Sequence, residues 1–206
     1  MDDLNFPLDF LWHYNPLNNW KSLLTLVVVV ILAAMVIVNK SKWTRREKWF
    51  RTALWFYIYL IFSYTVLCRS GNDYFDYKLI PLWSYRKIWM THSVGLALQV
   101  FMNCLMFIPV GLLTPFAYEN YLGRDEVRTR KMVIIIGFAV SAAVEFLQLV
   151  TQTGLFEWDD ILHNTIGAIT GYGIYLIIRH EPFRKARWYF LPFGLVMLGL
   201  LAAMLS

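Results

Sequence analysis

Residues 23–38 read LLTLVVVVILAAMVIV and residues 188–206 read WYFLPFGLVMLGLLAAMLS, and neither run holds a charged side chain. Apolar runs of about eighteen residues or more have the length of a bilayer's hydrocarbon core and are read as membrane spans. The rest of the chain has the same character. It is 58% hydrophobic and 16% charged, against about 45–50% and about 25% in soluble domains, and its mean hydropathy is +0.48. At about twenty residues per span, spans consume most of the 206 residues. The expectation is therefore an all-α, polytopic helix bundle forming a single integral membrane domain over residues 1–206.

Six transmembrane helices are predicted, over 22–38, 52–68, 91–118, 132–153, 160–179 and 188–206. The third is too long for an upright span and must tilt, kink or extend past the membrane; Pro109 is the expected kink, since it removes a backbone hydrogen bond and clashes with the preceding turn. Lys40, Lys42, Arg45, Arg46, Lys48 and Arg51 crowd the first connection, Arg124, Arg128, Arg130 and Lys131 the third, and Arg184, Lys185 and Arg187 the fifth. The fourth connection has no lysine or arginine. By the positive-inside rule the odd connections are cytoplasmic and both termini are extracytoplasmic. The second connection dissents mildly with Arg69, Lys78, Arg86 and Lys87. It also holds Tyr74, Phe75, Tyr77, Trp83, Tyr85 and Trp89, so residues 75–89 are expected to lie along the outer interface.

The net charge of +5 is accounted for by these topogenic loops, leaving no basic face for nucleic acid. Cys68 and Cys104 have neither metal-ligand spacing nor a disulfide framework. The N-terminus, MDDLNFPLDF, is acidic and lacks the basic region of a cleaved signal peptide, so the first span is expected to be retained. No internal repeat supports an inverted-repeat transporter.

The chemistry lies in polar residues at membrane depth. Glu145 is about 20 Å from the inner end of its helix across a core of about 30 Å. A charge near mid-bilayer costs about 2.5–3.5 kcal/mol on insertion scales, so a lipid-facing carboxylate there is disfavoured. Ser141, Glu145 and Gln148 share one face at i, i+4, i+7. Interhelical hydrogen bonding suffices for Ser141, whereas Glu145 with Gln148 reads as a site. In FEWDDILHNTIGAITGYGIY, Asp160, Asn164, Gly167 and Gly171 fall on one face with Asp159 and His163 alongside. The glycines permit close helix contact; an aspartate suits a helix N-terminus, which leaves Asn164 unexplained. Gln99 and Asn103 lie in the outer half of the third helix. Arg69 and Arg86 are the cations expected to pair with Glu145, Asp159, Asp160 or an anionic headgroup.

The ordered motifs LIPLWSYRKI, NCLMFIPVGLLTP, SAAVEFLQL and FEWDDILHNTIGAITGY resemble the VanZ-like family of bacterial membrane proteins, named for a teicoplanin-resistance protein. The correspondence falls on Asn103, Pro109 and Gly111, on Ser141, Glu145 and Gln148, and on Asp159, Asp160, Asn164, Thr165 and Gly167, with Arg69 after an early span. It covers residues 69–179 as a core, making 22–68 and 188–206 flanking helices; His163 stands where the family pattern has an aliphatic residue. The resemblance implies a multi-pass protein of the bacterial cell membrane that reduces susceptibility to lipoglycopeptides. Its expected partner is a lipid or lipid-linked small molecule, met by Arg69, Arg86, Asn103, Gln148, His163 and Asn164, with no cofactor and no metal. The competing reading is an intramembrane enzyme on such a substrate, with Glu145 as general base and Asp159, Asp160 or His163 assisting. No HExxH, CxxC or G-x-S-x-G element supports a metal site or nucleophile elbow. A small proton-coupled transporter is a third reading.

Overall fold

A computed structural model of the chain describes residues 19–38, 43–69, 77–123 and 125–205. The expectations placed on the N-terminal segment, Lys40, Lys42, Tyr74, Phe75, Arg124 and Ser206 lie outside these residues. The described chain is helical almost throughout: α1 (Trp20–Val38), α2 (Arg45–Phe62) running into a π-helical turn (Ser63–Leu67), α3 (Trp83–Thr91), α4 (Val94–Ala117), α5 (Glu119–Leu122), α6 (Glu126–Thr151), α7 (Trp158–Ile178) and α8 (Phe183–Leu205). Five of these segments are long and apolar enough to cross a membrane, namely α2 with its π turn, α4, α6, α7 and α8. The apolar helix α1 lies beside α2 with most of its surface exposed. Ile135, Phe146, Leu195 and Leu198 are exposed on other helices, as suits side chains whose solvent is lipid.

Several helices begin earlier than the apolar runs suggest. Thr44 accepts from the Glu47 amide while Glu47 accepts from the Thr44 amide, a reciprocal cap that starts α2 at Arg45. The Asp125 carboxylate accepts from the Arg128 amide and starts α6 at Glu126. Arg45, Arg46, Lys48, Arg51, Arg128, Arg130 and Lys131 therefore lie on helix turns rather than in loops. Arg51 is sandwiched between the rings of Trp43 and Tyr118, 4.0 Å and 4.3 Å away. Buried Glu47 also accepts from the backbone and side-chain amides of Asn120, anchoring α5.

The centre of the bundle is α7, with over half of its most apolar stretch buried. Its tightest neighbour is α4, which runs parallel to it. A Cβ added to Gly167 would lie 2.0 Å from the Cys104 carbonyl oxygen, one on Gly171 2.0 Å from that of Ile108, and one on Gly111 1.8 Å from that of Ala168. These backbones touch because the residues have no side chain there. On the other flank, Gly137 of α6 faces Ala168. Pro109 sits inside α4. It cannot bond the Leu105 carbonyl, and in the same opened turn the Tyr57 hydroxyl donates to the Met106 carbonyl at 2.9 Å.

The segment after α2 separates into two pieces rather than extending α4. Tyr77–Lys78 forms a two-residue parallel ladder with Phe156–Glu157, pairing Tyr77 with Phe156 and Lys78 with Glu157. Trp83–Thr91 is a separate helix that buries Ser84 and Ile88, exposes Trp89 and Met90, and packs against α4 and α8. Its aromatic outer surface fits the interfacial placement expected of it.

The Gly171→Ala protein should lose about 1–3 kcal/mol of stability, because backbone rather than a flexible side chain opposes the new methyl group. Unfolding titrated in mixed detergent micelles measures this, and an unchanged midpoint would refute the contact.

Candidate functional site

Glu157, the last residue before α7, links three elements at one end of the bundle. Its amide donates to Glu145 Oε2 at 3.0 Å, and its Oε1 receives Lys78 Nζ at 3.1 Å. The same ammonium lies 3.8 Å from the centre of the Trp83 ring. Two residues on, Asp159 Oδ1 accepts from the Leu82 amide at 2.7 Å and Oδ2 from the Ser84 amide at 2.8 Å. Asp159 is thus a cap, but for α3 rather than for its own helix. It steadies Leu82, whose φ of 60° lies in the left-handed region that side chains other than glycine adopt at a cost.

The face of α6 predicted to matter is buried and used. Asn164 Nδ2 donates to Ser141 Oγ at 2.8 Å, which accounts for the asparagine one turn below Asp160. Gln148 Nε2 donates to the Thr65 carbonyl at 3.1 Å, within the π-helical turn. Glu145, only 2% exposed, is inside the protein and away from lipid.

The more open side of the cluster is formed by Asp160, Gln99 and Asn103. Gln99 Nε2 lies 3.4 Å from Asp160 Oδ2, and Asn103 lies beside the same carboxylate. His163 is fully buried and its Nε2 meets the Tyr85 hydroxyl at 3.0 Å. Burial, with smaller contributions from Cys104 and Asp159, raises the Tyr85 phenol above its ordinary pKa and keeps it neutral. Arg69 Nη1 and the Gln148 amide converge on Gly154, 3.1 Å and 3.2 Å from where its Cβ would be. Arg69 and Arg86 are both exposed, and neither forms an ion pair with a described residue. The expected arginine–carboxylate pairing is replaced by amide donors: irregular backbone at 82–84 and 157 needs acceptors of its own and takes Asp159 and Glu145.

Six buried polar atoms in this cluster have no hydrogen bond of regular geometry to a described residue: Ser84 Oγ, Glu157 Oε2, Asn164 Oδ1, His163 Nδ1, and Asp160 Oδ1 and Asn103 Nδ2, which lie side by side. Each such group costs about 1–3 kcal/mol, more when charged. The structure therefore brings together Glu145, Gln148, Asp159, Asp160, Asn103, His163 and Asn164 with Arg69 nearby, and leaves Arg86 outside. Sequence reading passed over Glu157, Lys78, Tyr85 and Thr65. Glu157 adjoins the two aspartates and Tyr85 adjoins Arg86, but nothing in the sequence announces the ladder that joins residue 78 to residue 157.

A groove of about 890 Å³ lies at the opposite end, lined by Glu126, Arg130, Glu181, Arg184, Lys185 and Arg187 among others. There Lys185 bridges Glu126 at 2.6 Å and Glu181 at 3.3 Å. Its charges belong to the basic end of the bundle, apart from the buried carboxylates.

Asp159→Ala should free the amides of Leu82 and Ser84 and loosen α3, costing about 1.5–3 kcal/mol for bonds to a charged group. Hydrogen exchange at residues 82–91 should accelerate while exchange in the middle of α4 stays unchanged. Equal protection in both proteins would exclude the capping role.

Among curated proteins and among solved structures nothing matches the chain. The family model described as VanZ/LLP1 matches residues 23–179, about three quarters of the length, taking in α1 and ending at the close of α7. With that match over a multi-pass helix bundle, the chain belongs to the VanZ/LLP1 family.

Proposed function

We propose that this VanZ-like protein sits in the bacterial cell membrane with its carboxylate-rich end outward, where it binds an amphipathic or lipid-linked ligand and thereby lowers susceptibility to teicoplanin-like lipoglycopeptides. The observation that carries the binding reading is the half-buried Asp160 carboxylate, met among the described residues by the side-chain amides of exposed Gln99 and half-buried Asn103 rather than by a cation. Most buried polar groups in folded proteins are hydrogen-bonded, so the gathering of carboxylates and amides at this end favours a binding reading over interhelical ties alone. The family resemblance supplies the lipoglycopeptide part of the reading. The outward placement is supported by charge: Arg45, Arg46, Lys48, Arg51, Arg128, Arg130, Lys131, Arg179, Arg184, Lys185 and Arg187 all belong to the helix ends opposite the cluster.

Sidedness is tested by cysteine labelling in intact cells on a Cys68→Ser background. A membrane-impermeant maleimide should label Lys87→Cys from outside and reach Arg187→Cys only after permeabilisation. The reverse pattern would turn the site toward the cytoplasm and end this proposal.

The binding role is tested by teicoplanin susceptibility. Expression of the wild-type chain should raise the inhibitory concentration, and Asp160→Asn at equal membrane abundance should return it to that of cells lacking the gene. Glu145→Gln should retain the effect, because a carboxamide oxygen still accepts from the Glu157 amide. A folded Glu145→Gln protein without function would favour an intramembrane enzyme with Glu145 as general base, a reading motivated by its burial close to Glu157 and Asp160. Susceptibility unaffected by the wild-type chain would refute the resistance role.

A further inference from the structure

The groove of about 890 Å³ at the basic end of the bundle plays no part in the ligand site proposed at the carboxylate-rich end. Four basic side chains and two carboxylates line it: Arg130 and Glu126 of α6, Arg184, Lys185 and Arg187 of α8, and Glu181 in the turn between α7 and α8. The carboxylates are satisfied within the protein. Lys185 Nζ bridges both, at 2.6 Å to Glu126 Oε2 and 3.3 Å to Glu181, and the Tyr189 hydroxyl donates to Glu126 Oε1 at 3.5 Å. The three guanidiniums are left over. Each is exposed, and none forms an ion pair with a described residue. Like charges gathered around one concavity repel one another and concentrate an anion there.

The depth of the groove decides which anion reaches it. On α6 the last charge before the apolar stretch is Lys131, and on α8 it is Arg187, after which no charged residue follows to Ser206. Both helices therefore pass from headgroup to hydrocarbon level within about one turn of the groove. Trp188, 62% exposed, extends the lining toward the apolar side, where an indole suits the interface. The Arg187 guanidinium lies 5.2 Å from the centre of that ring. Such stacking occupies the face of a guanidinium and leaves its edge N–H groups for a phosphate. A soluble anion needs only the arginines, whereas arginines followed by an exposed indole match a headgroup with the start of its acyl chains.

We propose that this groove binds the phosphate of an anionic membrane phospholipid, held by Arg130, Arg184 and Arg187 with Trp188 against the glycerol and upper acyl chains. Lys185 is a positioning residue. By neutralising Glu126 and Glu181 it keeps two carboxylates from repelling the headgroup, and it ties the first turns of α6 and α8 together so that arginines of both helices line one groove. This site is separate from the carboxylate-rich end and stands whether or not that end binds a ligand.

The test uses the full chain in phosphatidylcholine nanodiscs carrying a minor share of phosphatidylglycerol, with native mass spectrometry reading the lipid that the released protein retains. Phosphatidylglycerol should be retained about tenfold over phosphatidylcholine, and the preference should shrink as salt rises, as expected of guanidinium–phosphate contacts at an open surface. Arg184→Gln combined with Arg187→Gln should erase it. Lys131→Gln removes one charge from the same end, at an exposed residue outside the groove, and should leave it within about twofold. Arg184, Arg187 and Lys131 are exposed and outside every ion pair among the described residues, so both variants should keep the wild-type thermal midpoint. An equal loss in Lys131→Gln would trace the preference to general positive charge and overturn the proposal, as would phosphatidylglycerol retained no better than phosphatidylcholine. Retention that persists in millimolar inorganic phosphate is expected of a lipid-borne headgroup; displacement would assign the groove to soluble phosphate and overturn the lipid source.

Discussion

Direct backbone contact between α4 and α7 is the constraint on which the other arrangements depend. Three glycines, Gly111, Gly167 and Gly171, let two parallel helices approach until a carbonyl occupies the place of each missing methyl. The contact at Gly167 and Cys104 lies next to Asn103 on one helix and one turn from Asn164 on the other. Holding these backbones together sets Asn103 and Gln99 beside Asp160. A wider crossing would move the α4 amides out of reach of that carboxylate and open the cluster to lipid. The polar chemistry at the end of the bundle is thus a product of steric smallness in its middle.

The second organising theme is how carboxylates are kept inside a membrane protein. Glu145, Glu157 and Asp159 are all nearly inaccessible, and among the described residues only Glu157 has an ammonium partner. The other two are satisfied by amides from segments that are not regular helix, at Leu82, Ser84 and Glu157. This solves two problems at once, because non-helical backbone near a bilayer needs acceptors as much as buried carboxylates need donors. Asp160 takes no backbone amide and lies instead beside the side-chain amides of Gln99 and Asn103 on α4. At the opposite end, by contrast, Glu119, Glu126 and Glu181 meet arginine and lysine in surface ion pairs, which are individually weak.

Much of this was readable in the sequence, for identifiable physical reasons. Apolar runs long enough to span a bilayer report helices directly, and the membrane bundle followed from them. Gly167 and Gly171 on the face of Asp160 and Asn164 gave away a close helix contact. The polar residues of α6 and α7 could be grouped because helical spacing is regular. What was not readable depends on long-range pairing. The partner of Asp159 is 75 residues away at Ser84 and the partner of Glu157 is 79 away at Lys78. Charge complementarity suggested the arginines, but proximity gave those places to backbone amides and a lysine. The early starts of α2 and α6 were encoded in Thr44 with Glu47 and in Asp125, local signals that the search for apolar runs overlooks.

The two-residue ladder between Tyr77–Lys78 and Phe156–Glu157 also dictates an order of assembly. Its first strand is synthesised well before α6 and α7 exist, so it remains unpaired until both have entered the membrane. The helix that follows it, α3, rests partly on α8, which is made after α7. Asp159 therefore has its amide donors, Leu82 and Ser84, waiting before it is made, whereas Glu145 gains its donor only with Glu157, twelve residues later. The hydrogen bonds of the polar end thus tie together residues 78–159, which meet only once α7 has begun.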